Sequence, residues 1–297
     1  MNAPLFQTWF SQRLAGYRQV LANPVVDLVD PRALTQPERT ALTGAIAKAN
    51  LVIYRCRTPR QVSSEDVLAL GAQLGLTRLD HDTRTNRHGL AEVCDHRSNK
   101  SSRYIPFSNK ALNWHTDGSY YPADRVIRTF ILHCKTQAMR GGTSRLIDHA
   151  VVYGLLHQQA PELLPALLDC DAMTLPAHQP DSGEAARGEC SGPVFFNSQD
   201  GALCMRYTSR ARYIHWHQNR DLSAAVEHLR RVIAHAGNLV LEYTLAPGEG
   251  IICHNVLHAR SGFDDTSAKR RLLYRARFRE PIVEALPGGV VPSVSVS

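Results

Sequence analysis

Residues 113–120 read Asn-Trp-His-Thr-Asp-Gly-Ser-Tyr, and the interpretation of the whole chain starts from this stretch. His115 and Asp117 stand two positions apart, so in an extended segment their side chains point to the same face. A carboxylate alone favours a hard metal ion, and two imidazoles favour zinc or copper. One of each, completed by a distant histidine, suits non-haem Fe(II) with open coordination positions. An isolated His-x-Asp pair is more often a structural hydrogen-bonded pair on a strand, so the metal interpretation requires a third ligand elsewhere.

The composition is that of a folded protein with a sizeable core. The chain has 297 residues, of which 43% are hydrophobic, enough for one large domain or two small ones. No apolar run reaches transmembrane length, and Gln7, Gln12 and Arg13 interrupt any signal-peptide segment. The seven cysteines include no close pair, which indicates reduced thiols and a cytoplasmic location.

The net charge of +7 comes mainly from arginines that are spread along the chain. A nucleic-acid-binding protein is expected to concentrate Lys and Arg in a run or on one face, so no nucleic-acid partner is predicted. Arginine also binds small anions through paired N–H groups. The charge therefore favours an anionic small-molecule ligand.

Helices dominate the first part of the chain. Apolar residues from Phe6 to Leu21 recur at helical spacing and predict an amphipathic helix that ends at Asn23-Pro24. Capping boxes at Thr35 and Ser63 predict two further helices, with strands at 25–29 and 51–54. The polar segment 78–109 has no clear periodicity and is predicted to be a long loop beside the site.

Strands dominate the second part. Asp200-Gly201 is a hairpin turn signal, Asp148 and Asp221 are expected to begin helices, and 176–193 is expected to be a mobile excursion. Strands are predicted at 125–134, 143–147, 194–197, 202–207, 239–245, 251–253 and 271–278. This pattern predicts an α+β fold with a double-stranded β-helix, or jelly-roll, core flanked by helices. We expect a single domain over 1–297, with a loose tail from about 287.

His258 is the best candidate for the third ligand among the 14 histidines. It follows the predicted strand at 251–253, and Arg271 and Arg275 come shortly after it. A dicarboxylate co-substrate that chelates a metal through one end needs a buried guanidinium for its far carboxylate. Arg271 is the candidate for that charge, and Arg270 is the alternative.

Four motifs follow one another along the chain: Trp114-His115-Thr116-Asp117, Gly141-Gly142-Thr143-Ser144, Asn255-x-x-His258-x-Arg260 and Arg270-Arg271-Leu272-Leu273-Tyr274-Arg275. This ordered set resembles the TauD/TfdA family of Fe(II)- and 2-oxoglutarate-dependent dioxygenases, and the resemblance runs over nearly the whole chain. It implies that His115, Asp117 and His258 bind Fe(II) and that Arg271 binds the distal carboxylate of 2-oxoglutarate.

The resemblance leaves some positions open. The family places a hydroxyl near the distal carboxylate; Ser144 occupies that position here, and Thr143 directly before it is the alternative. Arg275 aligns with a position that can face a substrate anion. His254 stands where the family usually has an acid, which makes it a rival ligand to His258.

The implied reaction uses O2 to oxidise a small substrate while 2-oxoglutarate is converted to succinate and CO2. Asp117 favours hydroxylation, because halogenating members replace this carboxylate with a small residue. Candidate substrate contacts are Asn113, Tyr120, Arg210 and Arg275, and the expected substrate is anionic or amino-acid-like. The alternatives are a zinc-type hydrolase and a non-catalytic binding module on the same fold. No membrane partner is expected, and a homo-oligomer is an expectation from the resemblance alone.

Overall fold

Two β-sheets face each other and enclose the predicted metal ligands between them. The computed structural model describes residues 3–57, 61–81, 85–86, 89–95, 105–122, 125–177, 187–210 and 214–283. The helices of these residues are α1 (Ala3–Ala22), α2 (Gln36–Ala49), α3 (Ser64–Gln73), α4 (His149–Gln159), α5 (Leu164–Leu168) and α6 (Arg220–Ala234). The strands are β1 (Val25–Leu28), β2 (Leu51–Cys56), β3 (Leu90–Val93), β4 (Leu112–His115), β5 (Thr129–Thr136), β6 (Arg140–Gly141), β7 (Ser144–Ile147), β8 (Met173–Leu175), β9 (Cys190–Gly192), β10 (Phe195–Asn197), β11 (Leu203–Met205), β12 (His215–Trp216), β13 (Leu241–Tyr243), β14 (Glu249–Cys253), β15 (Leu257–Arg260), β16 (Phe263–Asp264) and β17 (Leu272–Phe278).

The large sheet has the strand order β1-β2-β14-β5-β17-β3. Cross-strand partners project from the same face of a sheet. Arg275 pairs with Leu132 and Arg277 with Phe130, so both arginines share the face that carries these apolar side chains and looks into the protein. The opposite face, with Ile131 among its residues, packs against α2 and α3 in a second apolar cluster.

The small sheet has the order β13-β7-β15-β4. His258 of β15 is paired with His115 of β4 on one side and with Leu146 of β7 on the other. The Phe130 ring of the large sheet lies 4.9 Å from the His258 ring, centroid to centroid, so the two sheets meet at this point. Register therefore brings the two predicted histidine ligands together.

The local start signals of the helices are confirmed. Thr35 and Ser63 each accept a hydrogen bond from the backbone of the third helical residue, and Glu38 and Asp66 complete both capping boxes. Asp148 caps α4 as predicted. α6 begins one residue before Asp221, because Asn219 supplies the cap.

Some predicted segments differ from the structure. The segment 78–109 is not one long loop: β3 lies within it and pairs with β17 at the edge of the large sheet. Its four residues, flanked by polar sequence, are too few to give a periodic signal. In the predicted excursion 176–193, β9 pairs with β8, whereas 178–186 lie outside the described residues.

The C-terminal predictions have mixed outcomes. The predicted strand 239–245 is shorter, since a 3-10 turn at Gly237–Leu239 precedes β13. The predicted tail from about 287 lies outside the described residues. Within the described ranges, no helix has the length and apolar character that crossing a membrane requires.

Candidate active site

His115, Asp117 and His258 form a compact cluster of potential metal ligands. His115 Nε2 lies 3.7 Å from Asp117 Oδ1, and His258 Nε2 lies 4.0 Å from the same oxygen. One ligating atom from each residue falls within 4.8 Å of those of the other two. Two imidazoles and one carboxylate in one cluster are the donor set of non-haem Fe(II) sites.

Backbone carbonyls orient both imidazoles. His115 Nδ1 donates to the carbonyl of Asn113 and His258 Nδ1 donates to the carbonyl of Val256, each over 2.8 Å. A proton fixed on Nδ1 leaves Nε2 as a lone-pair donor that faces Asp117. Burial, and then the nearby His115, lowers the pKa of His258 to about 3, so this imidazole is neutral at physiological pH.

Asp117 is buried and stays ionised. Burial alone would raise its pKa, but Arg275 first, and then the neighbouring His115, Arg277 and His258, hold the pKa of this carboxyl well below its usual range. Arg275 Nη1 lies 3.4 Å from Asp117 Oδ2. That oxygen has no hydrogen-bond partner among the described residues, whereas Oδ1 is the oxygen that faces the Nε2 atoms of both histidines.

Arg271 lies directly before β17 and is 4% exposed. Its guanidinium stacks over the Phe263 ring at 4.9 Å, and its Nη1 has no hydrogen-bond partner among the described residues. Burial lowers its pKa to about 10, which leaves it charged at neutral pH. A buried cation with an unused donor is a site for an anion.

The Gly141-Gly142 turn allows the Arg271 side chain to approach the backbone of Gly142 closely. Both glycines have positive φ, and a Cβ on Gly142 would lie 3.2 Å from Arg271 Nε. Directly after the turn, Ser144 pairs with Arg260 on the face of the small sheet that also carries His258. Thr143 precedes Ser144 by one position, and its hydroxyl contacts Thr244 Oγ1 at 2.7 Å. Of the two candidate hydroxyls, Ser144 therefore shares the face of His258, one of the predicted metal ligands.

Tyr120 lies beside the inner-face arginines of β17. Arg277 donates from Nη1 to the Tyr120 hydroxyl over 3.3 Å and from Nη2 to the buried Asp80 over 2.6 Å. Arg279 also contacts Asp80, at 3.1 Å. Arg187 stacks over the Tyr120 ring at 4.2 Å.

Asn113 and Arg210 occupy the edge of the site. Asn113 is exposed and contributes its backbone carbonyl to His115. Arg210 is half-buried and follows Ser209, whose N–H donates to the carbonyl of Trp114. Both residues are thus next to the strand that carries His115, and their contact with substrate stays a prediction.

Two basic residues singled out from the sequence have structural roles. His254 is not a rival ligand: its Nδ1 contacts Asn50 Oδ1 at 3.1 Å, and its Nε2 accepts a hydrogen bond from the Ile282 N–H over 2.9 Å. Arg260 donates to the carbonyls of Ser108 and Lys110 and so supports the segment before β4.

Two charged residues of the site, Arg277 and Asp80, were not predicted from the sequence. Arg277 is two positions beyond Arg275 on a strand, so the alternation of β17 was a sufficient signal for a second inward arginine. Asp80 carried no such signal. It comes to the site because its backbone N–H donates to the carbonyl of Arg277.

Comparison with known proteins identifies the family of this chain. Residues 12–277 match the family described as "Taurine catabolism dioxygenase TauD, TfdA family", and the chain belongs to this family. A uridine-5'-phosphate dioxygenase from an Amycolatopsis species is 29% identical over 197 residues, which cover 64% of this chain and 69% of that protein.

Solved structures share the fold at low identity. The non-haem iron oxygenase OrfP, in complex with Fe, succinate and (3S)-hydroxy-L-Arg, has a TM-score of 0.63 and 16% identity over 91% of both chains. An asparagine oxygenase in complex with Fe(II), 2S,3S-3-hydroxyasparagine and succinate has a TM-score of 0.59 and 15% identity, covering 92% of this chain and 91% of that one.

These findings confirm the predicted jelly-roll core and the predicted enzyme class. The protein is an Fe(II)- and 2-oxoglutarate-dependent dioxygenase that acts with O2 on a small-molecule substrate. The oxygenase interpretation thus prevails over the hydrolase and the binding module.

Proposed function

We propose that this dioxygenase hydroxylates a small, phosphate-bearing substrate of nucleotide-like size. The observation that carries the proposal is the pair of inward arginines on β17, Arg275 and Arg277, beside the candidate metal ligand Asp117. The proposal assigns Fe(II) to His115, Asp117 and His258.

The three proposed ligands suit Fe(II) in donor type, in orientation and in protonation state. Both imidazoles are held with Nε2 toward Asp117, and the carboxylate is already ionised before a cation arrives. The bound iron would supply activation of O2 for attack on a substrate C–H bond. The residues fix the orientation of the donor atoms, and only Asp117 of the three is buried away from bulk water.

Arg271 and Ser144 are assigned to 2-oxoglutarate. The unused Nη1 donor of Arg271 is suited to the distal carboxylate, and Ser144 offers a hydroxyl from the same face as His258. Thr143 projects from the other face and is assigned no contact with the co-substrate.

The charges near the metal ligands favour an acidic substrate. Asp80 is shared by Arg277 and Arg279, so one carboxylate serves two guanidinium groups. Arg275 has Asp117 as its acidic neighbour, and its Nε is buried without a hydrogen-bond partner among the described residues. If a metal cation takes over Asp117, Arg275 requires a new anion.

The relatives narrow the class of anion. The proteins that are 29% and 28% identical to this chain over about two thirds of their length are described as uridine-5'-phosphate dioxygenases. A phosphate dianion matches an arginine-rich site better than a zwitterionic amino acid does. Arg275, with Tyr120 and Arg277 next to it, is the assigned phosphate contact.

The test measures co-substrate turnover across substrate classes. Under anaerobic conditions, Fe(II) and 2-oxoglutarate should together produce a visible charge-transfer band in the wild-type protein. After addition of air, succinate release is compared for nucleoside 5'-monophosphates, sugar phosphates, sulfonates and amino acids. We expect the phosphate-bearing compounds to stimulate release and the matching dephosphorylated nucleosides to fail.

The outcomes separate the two parts of the proposal. If no band forms and His115→Ala changes nothing, the assignment of the metal and 2-oxoglutarate is wrong. If the band forms but only amino acids or sulfonates stimulate succinate release, the enzyme class stands and the phosphate class is refuted.

A further inference from the structure

The turn before β15 contains a residue with unusual backbone geometry. Asn255 has a φ of +46°, and among the described residues only Asn50 is another non-glycine with positive φ. An L-residue in this region is disfavoured, and asparagine is among the few that tolerate it. Asn255 is also 8% exposed, so its amide is buried and needs partners.

The Asn255 side chain holds the backbone of Asp117 from both sides. Its Oδ1 accepts from the Asp117 N–H over 2.8 Å, and its Nδ2 donates to the Asp117 carbonyl over 2.9 Å. Nδ2 also donates to the carbonyl of Ile127 over 2.9 Å. The residue therefore ties the Asp117 loop to the segment that enters β5.

The same turn also orients the third ligand. The carbonyl of Val256, the next residue, accepts the hydrogen bond from His258 Nδ1. Asn255 and Val256 together connect two of the three ligands, Asp117 through a side-chain amide and His258 through a backbone carbonyl. A displacement of the turn would therefore change the separation of the Asp117 and His258 donor atoms.

We infer that Asn255 is a positioning residue that fixes the Asp117 carboxylate for metal binding. This inference rests on the metal site assigned in the proposed function. Only an amide of this length offers one acceptor and two donor hydrogens at once: aspartate lacks the donors, and glutamine carries an extra methylene. The backbone needs a residue that tolerates positive φ, and asparagine meets both demands.

The test is Asn255→Gly, because glycine adopts positive φ freely and the turn is kept while the amide is removed. Asn50→Gly is the matched control. Asn50 has a φ of +56°, and its amide contacts Asp148 and His254, neither of which belongs to the ligand set. Both variants lose a partly or fully buried amide at a left-handed position.

The measurements are Co(II) affinity, the visible absorption spectrum of the Co(II) protein, and thermal unfolding in EDTA. Loss of a group that orients a ligand weakens metal binding by about 10- to 100-fold. We expect this loss, with an altered Co(II) spectrum, for Asn255→Gly. Asn50→Gly should lower the unfolding temperature while keeping the affinity and the spectrum of the wild type.

Each outcome bears on a different claim. If Asn255→Gly retains wild-type Co(II) affinity and spectrum, or if Asn50→Gly impairs both equally, Asn255 is merely structural and the inference is refuted. If the wild-type protein itself binds no Co(II), the proposed metal site is refuted first. Should Asn255→Gly not fold, Asn255→Ala, which also removes the whole amide, is measured in the same way against the same two outcomes.

Discussion

Replacing Arg271 with leucine removes the guanidinium that we assign to the distal carboxylate of 2-oxoglutarate. Arg271 is 4% exposed and its Nη1 has no hydrogen-bond partner among the described residues, so a bound carboxylate would meet it away from water. Truncation of one partner in a buried, hydrogen-bonded charge pair costs 2–5 kcal/mol or more, and about 3 kcal/mol corresponds to roughly 150-fold in affinity.

The assay is an anaerobic titration of the Fe(II) protein with 2-oxoglutarate, followed through the charge-transfer band. A parallel titration uses 2-oxopentanoate, which lacks the distal carboxylate. The two ligands and the two proteins together form a double-mutant-type thermodynamic cycle for the Arg271–carboxylate pair. We expect the wild type to prefer 2-oxoglutarate by roughly 150-fold and Arg271→Leu to bind both compounds equally weakly, because the charge pair is then absent from both sides of the comparison.

Arg270→Leu is the matched control. Arg270 is exposed, and its Nη2 is 3.4 Å from the carbonyl of Asp95, so its loss should leave the preference for 2-oxoglutarate unchanged. The reasoning is refuted if Arg271→Leu still discriminates between the two oxo acids as the wild type does. It is equally refuted if the discrimination is lost in Arg270→Leu instead.

Two further predictions concern the candidate site, and a third concerns His133, which is buried in β5 and contacts the Tyr54 hydroxyl. Ser144→Ala should weaken 2-oxoglutarate binding by about 1 kcal/mol, the value of one hydrogen bond, while Thr143→Ala should not; anaerobic titration checks this, and the reverse order contradicts it. Arg275→Gln should tighten Co(II) binding, since a positive charge 3.4 Å from Asp117 is removed, and should abolish stimulation by phosphate-bearing substrates; weaker Co(II) binding would count against the ion pair. Burial lowers the pKa of His133 to about 4, so the unfolded chain takes up this proton first as the pH falls, and stability is lost below the ordinary histidine pKa. Between pH 7 and 5 this loss is about 2 kcal/mol of unfolding free energy. Urea unfolding in EDTA should therefore show that the free energy of unfolding of His133→Gln falls by about 2 kcal/mol less than that of the wild type over this pH range. An equal fall in both proteins would refute the assignment.

Much of the fold could be predicted from local sequence signals. The capping boxes at Thr35 and Ser63 and the Asp148 cap depend on residues three positions apart or fewer, so they could be recognised without the fold. The hairpin turn at Gly201 is likewise local. β3 was missed because an edge strand of four residues is specified by its pairing with β17 and not by its own pattern.

For the candidate site, too, some features could be predicted from the sequence and others required the tertiary structure. The sequence by itself predicted His115, Asp117 and His258 as the donor set and indicated the family to which the chain belongs, because short motifs place characteristic side chains in a fixed order along the chain. Only the tertiary structure decided between alternatives that share that chemistry. It removed His254 as a ligand by engaging both of its ring nitrogens.

Which side chains face the candidate site depends on the face of the strand from which each one projects. Adjacent residues on a strand point to opposite sides, so which of Thr143 and Ser144 faces His258 depends on the register of β7 with β15. The contact between Arg275 and Asp117 likewise requires two sheets to face each other. The His-x-Asp pair thus predicted two metal ligands, and the packing of the sheets determined which arginines, hydroxyls and amides surround these two side chains.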